Sequence, residues 1–289
     1  MLKQKRRKAT PAIRPLLKLL RRYPWLLLPL LLVGGAWYGH ELYVARPAMA
    51  WMGLPQATQL QPAYWTHVLR NEGFLVGYSE LRGNPLWVTY RLGAVPESAQ
   101  RHKRPARFDS DWRSLSRIGH DDYTHSGFSR GHLAPNHAIA LLHGRAAQLA
   151  TFLMTNITPQ RAELNTGVWQ RLERLELEEY AQRYGTVWVV TGPLFDDAIE
   201  RLPSALRVEI PDAFYKILAV PAEANHGMPL LRAYRVPQQV PSQARLEEFV
   251  TSVDRVEALS GFDFFPELPD ELERALEGGA ATERDVSLR

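Results

Sequence analysis

The sequence predicts a single mixed α+β domain over residues 61–275, preceded by a transmembrane helix over 23–44. Three observations lead there. From about Gln61 onward, short runs rich in aromatic and β-branched residues alternate with helix-favouring stretches. A purely basic N-terminus runs straight into an uncharged apolar segment. No internal repeat divides the 289 residues, which are enough to bury a sizeable core.

Composition narrows the chemistry. The chain has no cysteine, which excludes disulfides, zinc–thiolate sites and cysteine nucleophiles. The formal charge of +4 is unevenly spread. Residues 1–40 carry nine Lys or Arg and no acid, leaving 26 basic against 31 acidic residues, about −5, for the remainder. The basic balance belongs to the N-terminus and is no argument for nucleic-acid binding by the folded part.

In chain order, residues 1–22 read as a basic cytoplasmic N-terminus. "YPWLLLPLLLVGGAWYG" (Tyr23–Gly39), extended to Val44, is 22 residues long. As one helix at about 1.5 Å per residue it matches the roughly 30 Å of a bilayer core. Trp25, Trp37, Tyr38 and Tyr43 lie towards its ends, where aromatics favour the interface. A cleaved signal peptide, with Ala48-Met49-Ala50 as its site, and a buried core helix are the alternatives. The first two both put the rest of the chain outside the cytoplasm, because Lys and Arg stay inside. Residues 45–60 read as a linker.

Within the domain, Pro85–Leu92 reads as a strand, and Ala106–Gly127 as a long polar surface loop. Ala138–Gln160 opens with helix formers, turns apolar at Thr151–Met154 and stops at Pro159. Glu163–Gly185 is the clearest helix: Val168, Leu172, Leu175 and Glu179 form one stripe with Trp169 beside it, and Gly185 ends it. Thr186–Phe195, Tyr215–Val220 and Leu230–Val236 read as strands. Leu246–Phe265 reads as a helical segment followed by an aromatic patch, and 276–289 as a polar tail.

The chemistry gathers around "GFSRGHLAPNH" (Gly127–His137). His132 is followed by Asn156, by Asn165 at the mouth of the clear helix, and by Glu173 along it. On an ideal helix Asn165 and Glu173 are about 12 Å apart and rotated by about 80°. No cluster of acids suits a calcium cage, and no His-x₃-His spacing suits zinc. The set suits one neutral oxygen ligand on a well-hydrated Mg²⁺.

At these positions the chain resembles the DNA/RNA non-specific endonucleases of the ββα-metal superfamily, the endonuclease G-like family. The motif D-R-G-H stands here as Ser129-Arg130-Gly131-His132. S-N-x-x-P-Q stands as Thr155-Asn156-Ile157-Thr158-Pro159-Gln160, and L-N-x-x-x-W-x-x-L-E as Leu164-Asn165 through Trp169 to Leu172-Glu173. "VVTGPLF", "IPDAFYKI" and "SVDRVEALSGFDFF" extend the likeness over roughly Ala63 to Glu271.

The resemblance implies a central, mostly antiparallel sheet flanked by helices, and Mg²⁺-dependent hydrolysis of phosphodiester bonds in DNA and/or RNA. It implies His132 as general base towards water, Asn165 as the Mg²⁺ ligand (Mn²⁺ able to substitute) and Glu173 as the holder of a water of hydration. It assigns Arg130 and Arg107 to phosphate binding, and Asn156 to bracing the histidine and the metal ligand. Two positions depart from the pattern: Ser129 replaces Asp, as a mitochondrial exonuclease branch tolerates, and Leu177 stands where some members carry arginine, with Arg174 nearby. His137 and His143 read as structural or solvated and Trp169 as core. The basic run Arg101, Lys103, Arg104, Arg107 reads as a phosphate-facing patch. The expectation is thus a nuclease on a membrane anchor, its catalytic domain facing the periplasm or exterior of a bacterial inner membrane. The competing reading is a catalytically retired nucleic-acid-binding surface protein on the same fold.

Overall fold

The computed structural model describes residues 13–279 and divides between Pro47 and Ala48 into two units. The basic cluster Lys3–Lys8 and the tail beyond 279 lie outside the described residues.

In the first unit, α1 (Ile13–Arg22) ends at Tyr23, whose φ of −130° and ψ of 74° leave the helical region. Pro24 starts a 3₁₀ turn through Leu26, α2 covers Leu27–His40, and a π turn runs from Glu41 to Ala45. The expectation of one spanning helix over 23–44 is therefore corrected. The 14 residues of α2 rise about 21 Å, and among the described residues no helix is long and apolar enough to cross a membrane. The apolar side chains of the segment are nevertheless exposed, Leu28, Leu31, Val33 and Trp37 each by more than 60%.

The second unit is built on a seven-stranded sheet. In chain order its strands are β2 (His67–Asn71), β3 (Phe74–Ser79), β4 (Asn84–Gly93), β7 (Thr186–Leu194), β10 (Ala213–Val220), β11 (Leu230–Pro237) and β12 (Val250–Thr251). They lie in that same order across the sheet, every neighbouring pair antiparallel. Three two-stranded pairs complete it: β1 (Gln56–Ala57) with β13 (Phe262–Asp263), β5 (Ser129–His132) with β6 (Ile157–Gln160), and β8 (Arg201–Leu202) with β9 (Ala205–Glu209).

Both faces of the sheet are covered, so strands such as β3 and β10 are buried throughout rather than alternating with solvent. On β10, Phe214 and Leu218 join Val76, Tyr90 and Val189 in one core with α3 (Asn136–Thr151) and α4 (Trp169–Arg174). Tyr215 and Ile217 join Leu75, Trp87 and Val190 in the other, against α6 (Val253–Ser260) and the aromatic patch Phe262, Phe264, Phe265. Each buried aromatic ring removes about 150–250 Å² from water, worth roughly 4–6 kcal/mol at about 25 cal/mol/Å².

Most expected elements are present, with shifted bounds. The strand read at Pro85–Leu92 is β4, and those read at 186, 215 and 230 are β7, β10 and β11. The helix expected over 163–185 is one helical run in which α4 and α5 (Ala181–Tyr184) are joined to π turns at Leu164–Val168 and Leu175–Tyr180. Gly185 ends it at φ 69°, a conformation a side chain would strain. Residues 246–265 are corrected to a 3₁₀ turn, β12 and the short α6, because Ser252 accepts from the Arg255 N–H and caps a new helix there. The proposed linker belongs to the domain from Ala48 on: Trp51 packs edge-on to Phe265 at 5.3 Å, and β1 pairs with β13. The expected tail begins inside α7 (Asp270–Glu277).

Asp254, Glu257 and Glu277 on α6 and α7 bring carboxylate oxygens within 4.8 Å of one another. Burial, and then repulsion between the acids, pushes Glu277 up to about 8 and Glu257 up to about 7, although the Phe264 N–H donates to Glu257. Since both are raised above the unfolded value, the folded state binds more protons, and its stability falls as pH rises from about 4.5 through 8. Thermal midpoints should drop between pH 5 and 8, and Glu277→Gln should flatten that slope. Equal slopes in the two proteins would refute the assignment.

Candidate active site

The site is assembled between Gly93 and Thr186, the facing ends of β4 and β7. β5 and β6 pair antiparallel, with His132 opposite Ile157 and Gly131 opposite Thr158. Glycine fits at 131, where a Cβ would run into the fully buried side chain of Gln160. The motif Ser129–His132, for which the sequence indicated no element, is a strand, and the helix formers read from Ala138 belong to α3, which is followed by β6. Pro159 is accommodated because the pair has only two strands.

Asn156 staples this hairpin. Its Oδ1 accepts from the Ala134 N–H (2.9 Å), and its Nδ2 donates to the carbonyls of Ala134 (3.1 Å) and Thr151 (3.0 Å). Its own carbonyl accepts from the Leu133 N–H. The side chain is fully buried and committed to backbone, in part to Ala134 two residues after His132, which makes it a brace rather than a group that meets a ligand.

His132 is buried between Phe108 (5.3 Å) and Phe152 (4.9 Å), and its carbonyl accepts the indole N–H of Trp169 at 3.1 Å. Its Nε2 has no hydrogen-bond partner in the protein. Burial, with the positive Arg104 nearby, holds the imidazole down at about 3, so it is neutral at any working pH.

Asn165 lies in the π turn and Glu173 in α4, and the two line one open pocket of about 260 Å³ with Arg104, His132, Asn136, His137, Thr166 and Gln170. A π turn shifts the phase of the helix that follows it, so spacing on an ideal helix is a poor guide to what faces the pocket here. Among the described residues the side chains of Asn165 and Glu173 have no hydrogen-bond partner, and both are partly exposed to the pocket. Burial pushes the Glu173 carboxyl up to about 7, with Lys216 opposing and Glu176 reinforcing the shift.

Arg130 and Arg107 do not line this pocket. Arg130 donates to the His120 carbonyl (2.7 and 3.1 Å) and to Thr124 Oγ1 (3.0 Å), with its guanidinium 6.0 Å from the Phe108 ring. Arg107 is exposed and paired with Asp121 at 3.0 Å. Arg130 stands one aromatic ring, that of Phe108, away from His132. Of the basic run, Arg104 is the member that reaches the pocket, stacked over Phe152 at 5.3 Å. Sequence reasoning assigned no role to Asn136, Thr166 or Gln170, whose residue types carry no signature. It read His137 as structural or solvated, yet His137 lines the pocket. His143 lies elsewhere, beside Gly73. Arg174 and Leu177 line an adjoining groove that shares His137, Gln170 and Glu173 with the first. Trp169 packs in the core against Phe214, 5.6 Å away, as its pattern suggested.

Residues 59–271 match the family model described as DNA/RNA non-specific endonuclease. The chain is 31% identical to the mitochondrial nuclease EXOG of Danio rerio over 75% of its own length and 64% of that protein's, so the match spans less than two thirds of that relative. It is 30% identical to mitochondrial endonuclease G of Homo sapiens, covering 76% of this chain and 74% of that one. A crystal structure of the EndoG/EndoGI complex superposes with a TM-score of 0.61 at 25% identity, over 72% of this chain and 89% of that one.

Asn156→Ala should cost about 2–4 kcal/mol, since it leaves the buried N–H and carbonyl of Ala134 unpaired. Urea unfolding measures this. A loss under about 0.5 kcal/mol would mean that the three hydrogen bonds do not hold the turn.

Proposed function

The chain belongs to the DNA/RNA non-specific endonuclease family, and from that premise we propose that its pocket hydrolyses phosphodiester bonds of DNA, RNA or both with a divalent cation, Mg²⁺ first. One observation carries the reading. The buried His132 Nε2, which has no hydrogen-bond partner among the described residues, lines a single pocket with the Asn165 carboxamide, the Glu173 carboxyl and Arg104. A retired scaffold has no reason to keep these groups together, which favours an enzyme over the nucleic-acid-binding alternative.

In this reading His132 removes the proton from the attacking water. Its neutrality leaves it able to accept that proton, but burial and Arg104 make the isolated imidazole a weak base. A phosphodiester entering the pocket brings negative charge that offsets Arg104, so the still-neutral imidazole becomes a stronger base and the imidazolium it forms on taking the water's proton is stabilised. Asn165 offers a neutral oxygen to the cation, and Glu173 accepts hydrogen bonds from the water that completes its shell. The cation, when bound, neutralises charge building on the phosphate. Arg104 contacts phosphate directly, while Arg107 and Arg130 bind the flanking backbone. Because phosphate and not base is recognised, DNA and RNA both fit.

His132→Ala should lower cleavage of plasmid and RNA about 10²- to 10⁴-fold with the fold intact. Asn165→Ala should raise the Mg²⁺ concentration for half-maximal rate, with Mn²⁺ able to substitute. A His132→Ala protein keeping more than about a third of the wild-type rate would sink the assignment. If Asn156→Ala moves the Mg²⁺ titration and Asn165→Ala does not, the two asparagines are reversed.

A second proposal concerns place. The basic N-terminus and the exposed apolar surface of residues 27–44 suit a membrane anchor with the catalytic unit outside the cytoplasm. Spanning requires the 3₁₀ and π turns that flank α2 to rewind as α-helix in lipid, since α2 alone is too short. A reporter active only outside the cytoplasm, fused after Arg289, should be active in the full chain. Activity confined to the cytoplasm would overturn the orientation, and a mature protein starting at Trp51 would indicate a cleaved signal instead.

A further inference from the structure

Strand β10 carries a lysine in the middle of the site-facing core. Its neighbours by alternation, Phe214 and Leu218, are buried apolar residues, and Lys216 is itself fully buried. Its Nζ donates to Glu176 Oε2 at 2.7 Å and to the Tyr90 hydroxyl at 3.0 Å. The Tyr90 hydroxyl in turn lies 2.9 and 3.0 Å from the two oxygens of Glu176, which is also fully buried. The three groups close a ring of hydrogen bonds away from water.

Such a ring is hard to explain by stability. Desolvating an ammonium and a carboxylate costs several kcal/mol each, and well-packed apolar residues of the same volume do as well or better. Its position explains it. Glu176 is one turn beyond Glu173 on the same helical run. The ammonium lies 5.1 Å from the ring centre of Trp169, whose indole N–H holds the His132 carbonyl. The groups facing Glu173 are few: Lys216 from β10, Glu176 from its own helix, Arg104 from the loop across the pocket, and the neutral His132 beside it, with His137 on the same wall.

We propose that Lys216 is a positioning residue for the site: locked by Glu176 and Tyr90, its buried ammonium pins the helical run that carries Glu173 to the central sheet and stands as a fixed positive charge behind that wall of the pocket. Glu176 has a double role. It holds the ammonium in place, and its own charge opposes that of Glu173, so the pair sets a balance rather than a simple attraction. The inference rests on the reading that Glu173 belongs to the active site, but it is testable without turnover.

The test follows the Glu173 carboxyl by ¹³C NMR in the intact metal-free protein, alongside the pH dependence of Mg²⁺-supported plasmid cleavage. Two variants are used: Glu176→Gln with Lys216→Met, which removes both charges together and avoids stranding either one, and Tyr90→Phe, which removes one hydrogen-bonding group of the ring and keeps both charges. Relative to wild type, the double variant should raise the Glu173 midpoint by about half a pH unit or more, because the attraction of Lys216 outweighs the repulsion of Glu176, and Tyr90→Phe should leave it in place. The acid limb of the cleavage profile should move in the same way. A purely structural role predicts lost rate or thermal stability with an unmoved midpoint. A midpoint unchanged in the double variant overturns the proposal, and so does a comparable shift in Tyr90→Phe, an outcome that can be read even if the double variant does not fold. If wild-type protein cleaves nothing while the midpoints move as described, the nuclease reading fails and the role of Lys216 stands.

Discussion

One side chain joins the three parts on which the site depends. Trp169 packs its ring against Phe214 of the central sheet and gives its indole N–H to the carbonyl of His132, at the end of the β5–β6 pair. It also opens α4, four residues after Asn165 and four before Glu173. Sheet, hairpin and helix are thereby held in register by one rigid group with two χ angles. An indole is suited to this: its apolar body needs burial and its single donor needs a partner, so both demands are met by one orientation. Asn156 complements it from the other side by fixing the turn between His132 and α3.

The electrostatics follow from how deep each group lies. His132 is wrapped by two phenylalanine rings and faces an arginine, which disfavours a second positive charge. Glu173 is only half-buried by its exposed area but sits over a fully buried ion pair, so desolvation and two opposed charges meet on one carboxyl. The pocket thus combines a neutral nitrogen, a neutral amide and one carboxyl near its titration point beneath a single pocket-lining guanidinium. Little fixed negative charge stands in the way of an incoming anion.

Much of this was legible in the residues. Runs such as Thr186–Leu194 and Ala213–Val220 are too short and too β-branched or aromatic for anything but buried strands, and the spaced motifs around His132, Asn156 and Asn165–Glu173 led directly to the pocket. What escaped depends on tertiary context. β5 is four residues containing Arg, Gly and His, and only pairing with β6 makes it a strand. The π turns follow from packing, not from propensity. Arg130 and Arg107, drawn into the site by motif and charge, are engaged by a backbone carbonyl and by Asp121, partners in a loop whose course no periodicity reveals. Lys216 was passed over because a lone lysine in an apolar run reads as a solvent-facing strand position, and two covered faces make that inference fail.

The order of the sheet has a consequence for how this architecture is inherited and folded. Its seven strands follow one another as a simple meander, and β4 and β7 are nearest neighbours with Gly93 opposite Thr186. Everything chemical therefore hangs between those two facing residues as a single insertion, residues 94–185, with both ends at adjacent points of a continuous sheet. Closing so long an excursion costs little more than closing a short one, because the entropy grows only with the logarithm of length. The frame is in that sense indifferent to its guest: the lobe can be lengthened, shortened or rebuilt without altering the sheet's topology. Lys216 and Phe214, reaching up from β10, are the points at which the frame still dictates what the guest must be.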